Sequence, residues 1–130
     1  MTVLVACNDS PHGEAALRAG IAEAARRRLP LAVLVLNPGD APPPSLAAQL
    51  ADLPAGLAAP AVTFRAPDAE PSDAILDAAD ALHATLVVVG ARKRSNQGTF
   101  VMGTTTQRVL LDAAAPVLVV KAAYDLPETG

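Results

Sequence analysis

Gly90-Ala91-Arg92-Lys93-Arg94 and, further along, Gly103-Thr104 combine the residue types that can hold a phosphate. A glycine at the end of a strand lets another group come close to the backbone. Gly103-Thr104 ahead of a helix would offer free N–H groups at its positive end, where an anion is favoured. The same residues also allow a structural reading, in which Arg92, Lys93 and Arg94 form a solvated loop and Thr104 caps a helix. His12, in the first turn of a helix, is expected to be exposed, and His83, near a helix end, to be favoured by the dipole. Neither has a recognisable catalytic partner. Cys7 reads as a small buried hydrophobe in a strand, close enough to the phosphate-binding residues to leave oxidation open. No Ser-His-Asp order, paired carboxylates or metal-ligand cluster stands out, so neither catalytic residues nor a bound metal is expected.

These residues need strands and helices to position them. Four continuous apolar runs, Val3 to Cys7, Leu31 to Leu36, Leu86 to Val89 and Val117 to Val120, with a weaker one at Ala61 to Phe64, fit strands covered on both faces of a parallel sheet. Between the first two, Asp9 and Ser10 are candidate N-caps, Pro11 suits the first helical position, and Arg26 to Arg28 fall where the dipole favours cations. Leu29-Pro30 ends that helix. A second helix is predicted from Pro71 to His83, with Ile75, Ala78, Ala79 and Leu82 inward and Asp73, Asp77 and Asp80 solvated. A third should start at Gly103-Thr104 and end before Pro116. Residues 38–60 carry six prolines and two glycines, leaving room for a short helix over Ser45 to Leu53. The alternation predicts a single doubly wound α/β domain: a five-stranded parallel sheet with helices on both faces. Its switch point lies between Cys7-Asn8-Asp9-Ser10 and Gly90-Ala91-Arg92-Lys93.

Composition narrows the function. The 130 residues, net charge −3, suit one domain and argue against a general nucleic-acid binder, while 2% aromatics argue against base-stacking platforms. The single cysteine precludes an internal disulfide and points to a reducing compartment, so a cytoplasmic location is expected. No apolar run reaches the ~18 residues that cross a bilayer. Leu4-Val5-Ala6-Cys7 superficially matches a lipoprotein box, but what precedes it lacks a signal core, and it reads as a strand. Leu126-Pro127-Glu128-Thr129-Gly130 matches a sortase motif without the hydrophobic stretch and basic tail that sorting requires. It reads as chance or a labelling tag within a flexible tail, 122–130, after a domain spanning 1–121.

The chain resembles the universal stress protein family. The resemblance rests on Val3-Leu4-Val5-Ala6-Cys7-Asn8-Asp9-Ser10-Pro11-His12, Leu86-Val87-Val88-Val89-Gly90, Gly103-Thr104-Thr105-Thr106-Gln107-Arg108-Val109-Leu110 and Ala115-Pro116-Val117-Leu118-Val119-Val120, in order and spacing. ATP-binding members carry Gly, two residues, Gly, nine residues, then Gly with Ser or Thr. Gly90 and Gly103-Thr104 match, but Lys93 stands at the second glycine, where it would either crowd a phosphate or add a contact to it. Asn8 stands where the family usually has Asp beside the nucleotide, which weakens metal coordination there. Asp9 next to it reads as a helix cap.

The resemblance implies an adenine-nucleotide alpha hydrolase-like fold. It also implies a site in which the backbone around Ala6 and Leu36 faces adenine, with Cys7 and Asn8 adjacent. Gly90, Arg92, Lys93, Gly103, Thr104, Thr105 and Thr106 would face phosphates or ribose. The expected ligand is ATP, with AMP or ADP as alternatives and Mg2+ left open. The expected role is a nucleotide-binding sensor or regulator in the stress response, without meaningful turnover. The alternative is a nucleotide-free stress protein acting as a dimeric interaction module. The resemblance further implies a homodimer through Pro116 to Lys121 and an unidentified regulatory protein partner, with no nucleic acid or membrane partner.

Overall fold

The computed structural model describes residues 1–37, 42–94, 99–101 and 103–122. Its elements run β1 (Thr2–Cys7), α1 (Pro11–Arg27), β2 (Leu31–Val35), α2 (Pro44–Leu50), β3 (Ala61–Phe64), α3 (Pro71–Ala81), β4 (Ala84–Arg94), β5 (Thr99–Val101), α4 (Thr104–Asp112) and β6 (Val117–Lys121). Five strands pair in parallel in the order β3-β2-β1-β4-β6, the doubly wound sheet that the alternation of patterns predicts.

The continuous apolar runs are explained by a core on each face. Val3, Val5, Cys7, Val33 and Val35 point to one side, where Leu17, Ile21 and Ala24 of α1 and Leu46 of α2 cover them. Leu4, Ala6, Ala32, Leu34, Val87 and Val89 point to the other, against Ile75 and Ala79 of α3 and Val109 of α4. Period-two alternation therefore places Ala6 and Cys7 in different cores.

α1 begins where the sequence signals it, but Ser10 alone is the cap: its side chain accepts from Gly13 N at 3.0 Å. Asp9 is exposed, and its backbone N–H donates to Asn37 Oδ1 at 2.8 Å. At the other end Arg28 lies past the last helical residue, at φ 57, and Leu29 N donates to Ala24 O at 3.0 Å, which closes the helix as a left-handed C-terminal turn. α2 is shorter than predicted, stopping at Leu50. α3 stops at Ala81, so Leu82 is an exposed cap residue rather than part of the buried stripe, and His83 follows at φ 51.

The main departure is at the end of β4. The segment read as a polar loop after Gly90 continues as strand through Arg94 and returns as β5, antiparallel, with Arg92 opposite Val101, Lys93 opposite Phe100 and Arg94 opposite Thr99. Three β-favouring residues facing a charged partner are too short a signal to read as a hairpin. Ala122, assigned from sequence to the tail, is 2% exposed and packs with the body; residues 123–130 lie outside the described residues.

Candidate functional site

The sheet opens at its switch point. The β1–β4 ladder ends at Val5–Val88, while β1–β2 continues to Cys7–Val35 and β4–β6 to Ala91–Lys121. Above that parting lies a cavity of about 340 Å³, whose floor and apolar wall are Ala6, Leu36, Pro71, Ile75 and Val89. Its polar rim is Asn8 just after β1, His12 and Gly13 from the start of α1, Gly90 from β4, and Gly103 to Thr106 at the start of α4. Ligands of doubly wound sheets bind at this position.

Gly103 and Gly90 have different surroundings. Gly103 is the N-cap of α4 at φ −64 and supplies no side-chain hydrogen bond to the first turn, so the N–H groups there have no side-chain cap. A methyl built on Gly103 would meet nothing within 4 Å. A methyl on Gly90 would collide with the carbonyl of His12. Gly90 is thus required by the packing of α1 against β4, whereas the space before α4 is left open by a glycine that neither backbone conformation nor packing demands. The Thr106 hydroxyl donates to Gly90 O at 3.2 Å and ties the start of α4 to β4.

Asn8 and Ser10 form the other side of the rim. The Ser10 hydroxyl donates to Asn8 Oδ1 and lies 3.1 Å from His12 Nδ1. Gly13 packs so closely that an added Cβ would strike Asn8. His12, expected to be exposed, is half-buried in the cavity rim.

The structure brings together Ala6, Asn8, Leu36, Gly90, Gly103, Thr104, Thr105 and Thr106 of the sequence-predicted set. Cys7 does not join them. It is 3% exposed in the opposite core, and burial pushes its thiol from an ordinary 9.0 up to about 11, which keeps it protonated and unreactive at neutral pH. Leu36 lines the cavity with its backbone partly engaged: its N–H donates to Cys7 O and its carbonyl accepts from Arg65 Nε, both at 2.8 Å. Arg92 and Lys93 stand in the β4–β5 hairpin, and their side chains lie outside the described residues. His12, Gly13, Pro71, Ile75 and Val89 were not assigned to the site from sequence. The α3 stripe and the alternation of β4 were the signals that could have found Ile75 and Val89.

Among the described residues no group of three or more His, Cys, Asp or Glu could hold a metal ion, and none of those lining the cavity is a carboxylate. The open space, uncapped helix start and apolar wall suit an anionic group joined to a flat ring.

A doubly wound α/β domain with a crevice at its switch point defines the class. Residues 41–121 match the universal stress protein family. A universal stress protein of Mycolicibacterium smegmatis is 35% identical over 125 residues, spanning 92% of this chain and 96% of that protein. The structure of a universal stress protein from Archaeoglobus fulgidus superposes with a TM-score of 0.73 at 28% identity, covering 93% of this chain and 98% of the other. An Archaeoglobus fulgidus universal stress protein in complex with dAMP superposes at 0.66 with 24% identity over 93% and 98%. The chain belongs to the universal stress protein family.

Proposed function

We infer that the crevice binds an adenine nucleotide, ATP by preference, and that occupancy is the signal of a sensor or regulator in the stress response. The observation that carries this is Gly103: an open, glycine-capped helix start facing a cavity at the switch point, with no demand from the fold for that glycine. The dAMP complex of a structural neighbour supports the ligand class. Phosphates would lie against the first turn of α4, and the base against Ala6, Pro71 and Ile75. The reading includes no meaningful turnover.

Titration calorimetry of nucleotide-stripped protein with ATP, with and without Mg2+, tests it. Micromolar binding that is lost in Gly103→Asp supports the site. Lys93→Gly separates a crowding lysine, whose removal leaves or improves affinity, from a phosphate ligand, whose removal weakens it.

A second reading, a nucleotide-free dimeric interaction module, is favoured by Asn8 in place of the family's Asp and by the outer edge of β6, which has no strand partner among the described residues. Absence of both ATP binding and co-purified nucleotide would select it. Homodimerisation through Pro116 to Lys121 and a cytoplasmic location belong to either reading. No helix among the described residues is long and apolar enough to cross a membrane.

A further inference from the structure

The hydrogen bonds at the end of β1 fix which atom of Asn8 meets a ligand. Gly13 N donates to Ser10 Oγ at 3.0 Å, and the Ser10 hydroxyl donates its one hydrogen to Asn8 Oδ1, which makes the His12 Nδ1 at 3.1 Å from Ser10 Oγ a donor to that hydroxyl. That amide oxygen also packs against Gly13, in the first turn of α1, where the positive helix end favours an oxygen over an NH2 group. The amide group has one oxygen and one nitrogen, so turning Oδ1 toward α1 leaves Nδ2 to the other side. Asn8 lies just past the end of β1, two residues beyond Ala6, and lines the crevice with it.

We propose that Ser10 locks the Asn8 amide so that β1 presents a hydrogen-bond donor to the ligand, making Asn8 a specificity residue that selects an acceptor atom. An Asp at this position would present acceptors only. Because Asn8 follows Ala6 of the apolar wall rather than the start of α4, the acceptor belongs to the nucleoside: a purine ring nitrogen or the ribose ring oxygen. This rests on the reading of the crevice as a nucleotide site.

The test is an NMR-detected titration of the full chain with adenosine in EDTA. Adenosine is uncharged, so a new carboxylate cannot act through repulsion of phosphates, and EDTA removes metal bridging. In the wild type the Asn8 Nδ2 resonances should shift on saturation. Asn8→Asp should weaken adenosine about tenfold, since two acceptors would then face each other unpaired. Ser10→Ala, which frees the amide to turn, should weaken it about threefold, and Ser10→Thr should restore it. Circular dichroism checks that each variant is folded. Equal or tighter adenosine binding by Asn8→Asp, or Nδ2 resonances that saturating adenosine leaves unmoved, would overturn the proposal while leaving nucleotide binding intact. Failure of the wild type to bind either adenosine or ATP would overturn the nucleotide reading, and this proposal with it.

Discussion

Gly90 and Gly103 belong to one sequence pattern but meet different physical demands. Gly90 makes room for the first turn of α1, so Gly90→Ala should lower stability by about 1–3 kcal/mol, as overpacking does in a close-packed interior. Gly103→Ala should change stability by less than about 1 kcal/mol, because φ −64 suits alanine and the unfolded chain loses freedom while an N-cap disfavours alanine, yet it should weaken ATP. Chemical denaturation and calorimetry on the two variants separate these roles. Cys7 gives a second prediction. Its thiol is held protonated up to about pH 11 in the fold but ionises near 9.0 when unfolded, so the unfolded state binds fewer protons between those values. Stability should therefore fall as pH rises from 9 to 11, by up to about 1.4 kcal/mol per unit, and Cys7→Ala should remove that part of the slope in a pH series of urea melts. The rim residues that sequence spacing found are those whose chemistry shows in their type, glycine and threonine ahead of a helix. Cys7 falls outside the crevice because alternation along a strand sends its side chain to the face opposite Ala6.

At the scale of elements, the ends of α1 show how local chemistry sets boundaries. Ser10 caps one end, and Pro11 and Glu14 suit the first turn. The other end closes through a left-handed arginine, a conformation that costs an L-residue about 1–2 kcal/mol and a glycine little. Arg28→Gly should then raise stability by about 0.5–1 kcal/mol after glycine's greater unfolded-state entropy is allowed for, read as a shift in the denaturant midpoint at constant slope. At α3 the cap is Glu70, whose carboxyl is held below its ordinary value by the Ser72 hydroxyl and then the Ser72 backbone N–H. Prolines and helical periodicity made the starts of α1 and α3 legible. The β4–β5 hairpin was not legible, because its stability comes from pairing between residues that lack any alternating apolar pattern.

The molecule as a whole is built from two sheet halves meeting at β1 and β4, and its parallel, doubly wound character was legible in the continuous apolar runs and their alternation with helices. Less legible was where its surface stays apolar. Leu111 is 75% exposed on α4 and Leu118 36% exposed on β6, beside an edge that would pair in a homodimer. Light scattering should give twice the chain mass, and Leu118→Lys should shift it toward the monomer; a monomeric wild type would sink the expectation.

The parting of β1 from β4 beyond Val5–Val88 has a mechanical meaning. A nucleotide seated there would act as a rivet across the seam between two halves that otherwise separate at that end. Its binding free energy would add to the cohesion of the whole domain, about 2.7 kcal/mol at a hundredfold excess over Kd. The stiffening should be greatest in Ala6, Asn8, Val89 and Gly90, whose amide protons would exchange more slowly with deuterated solvent as ligand is added. In such a molecule nucleotide supply and resistance to unfolding rise together, so a cell that runs short of the ligand also loosens the protein that reads it.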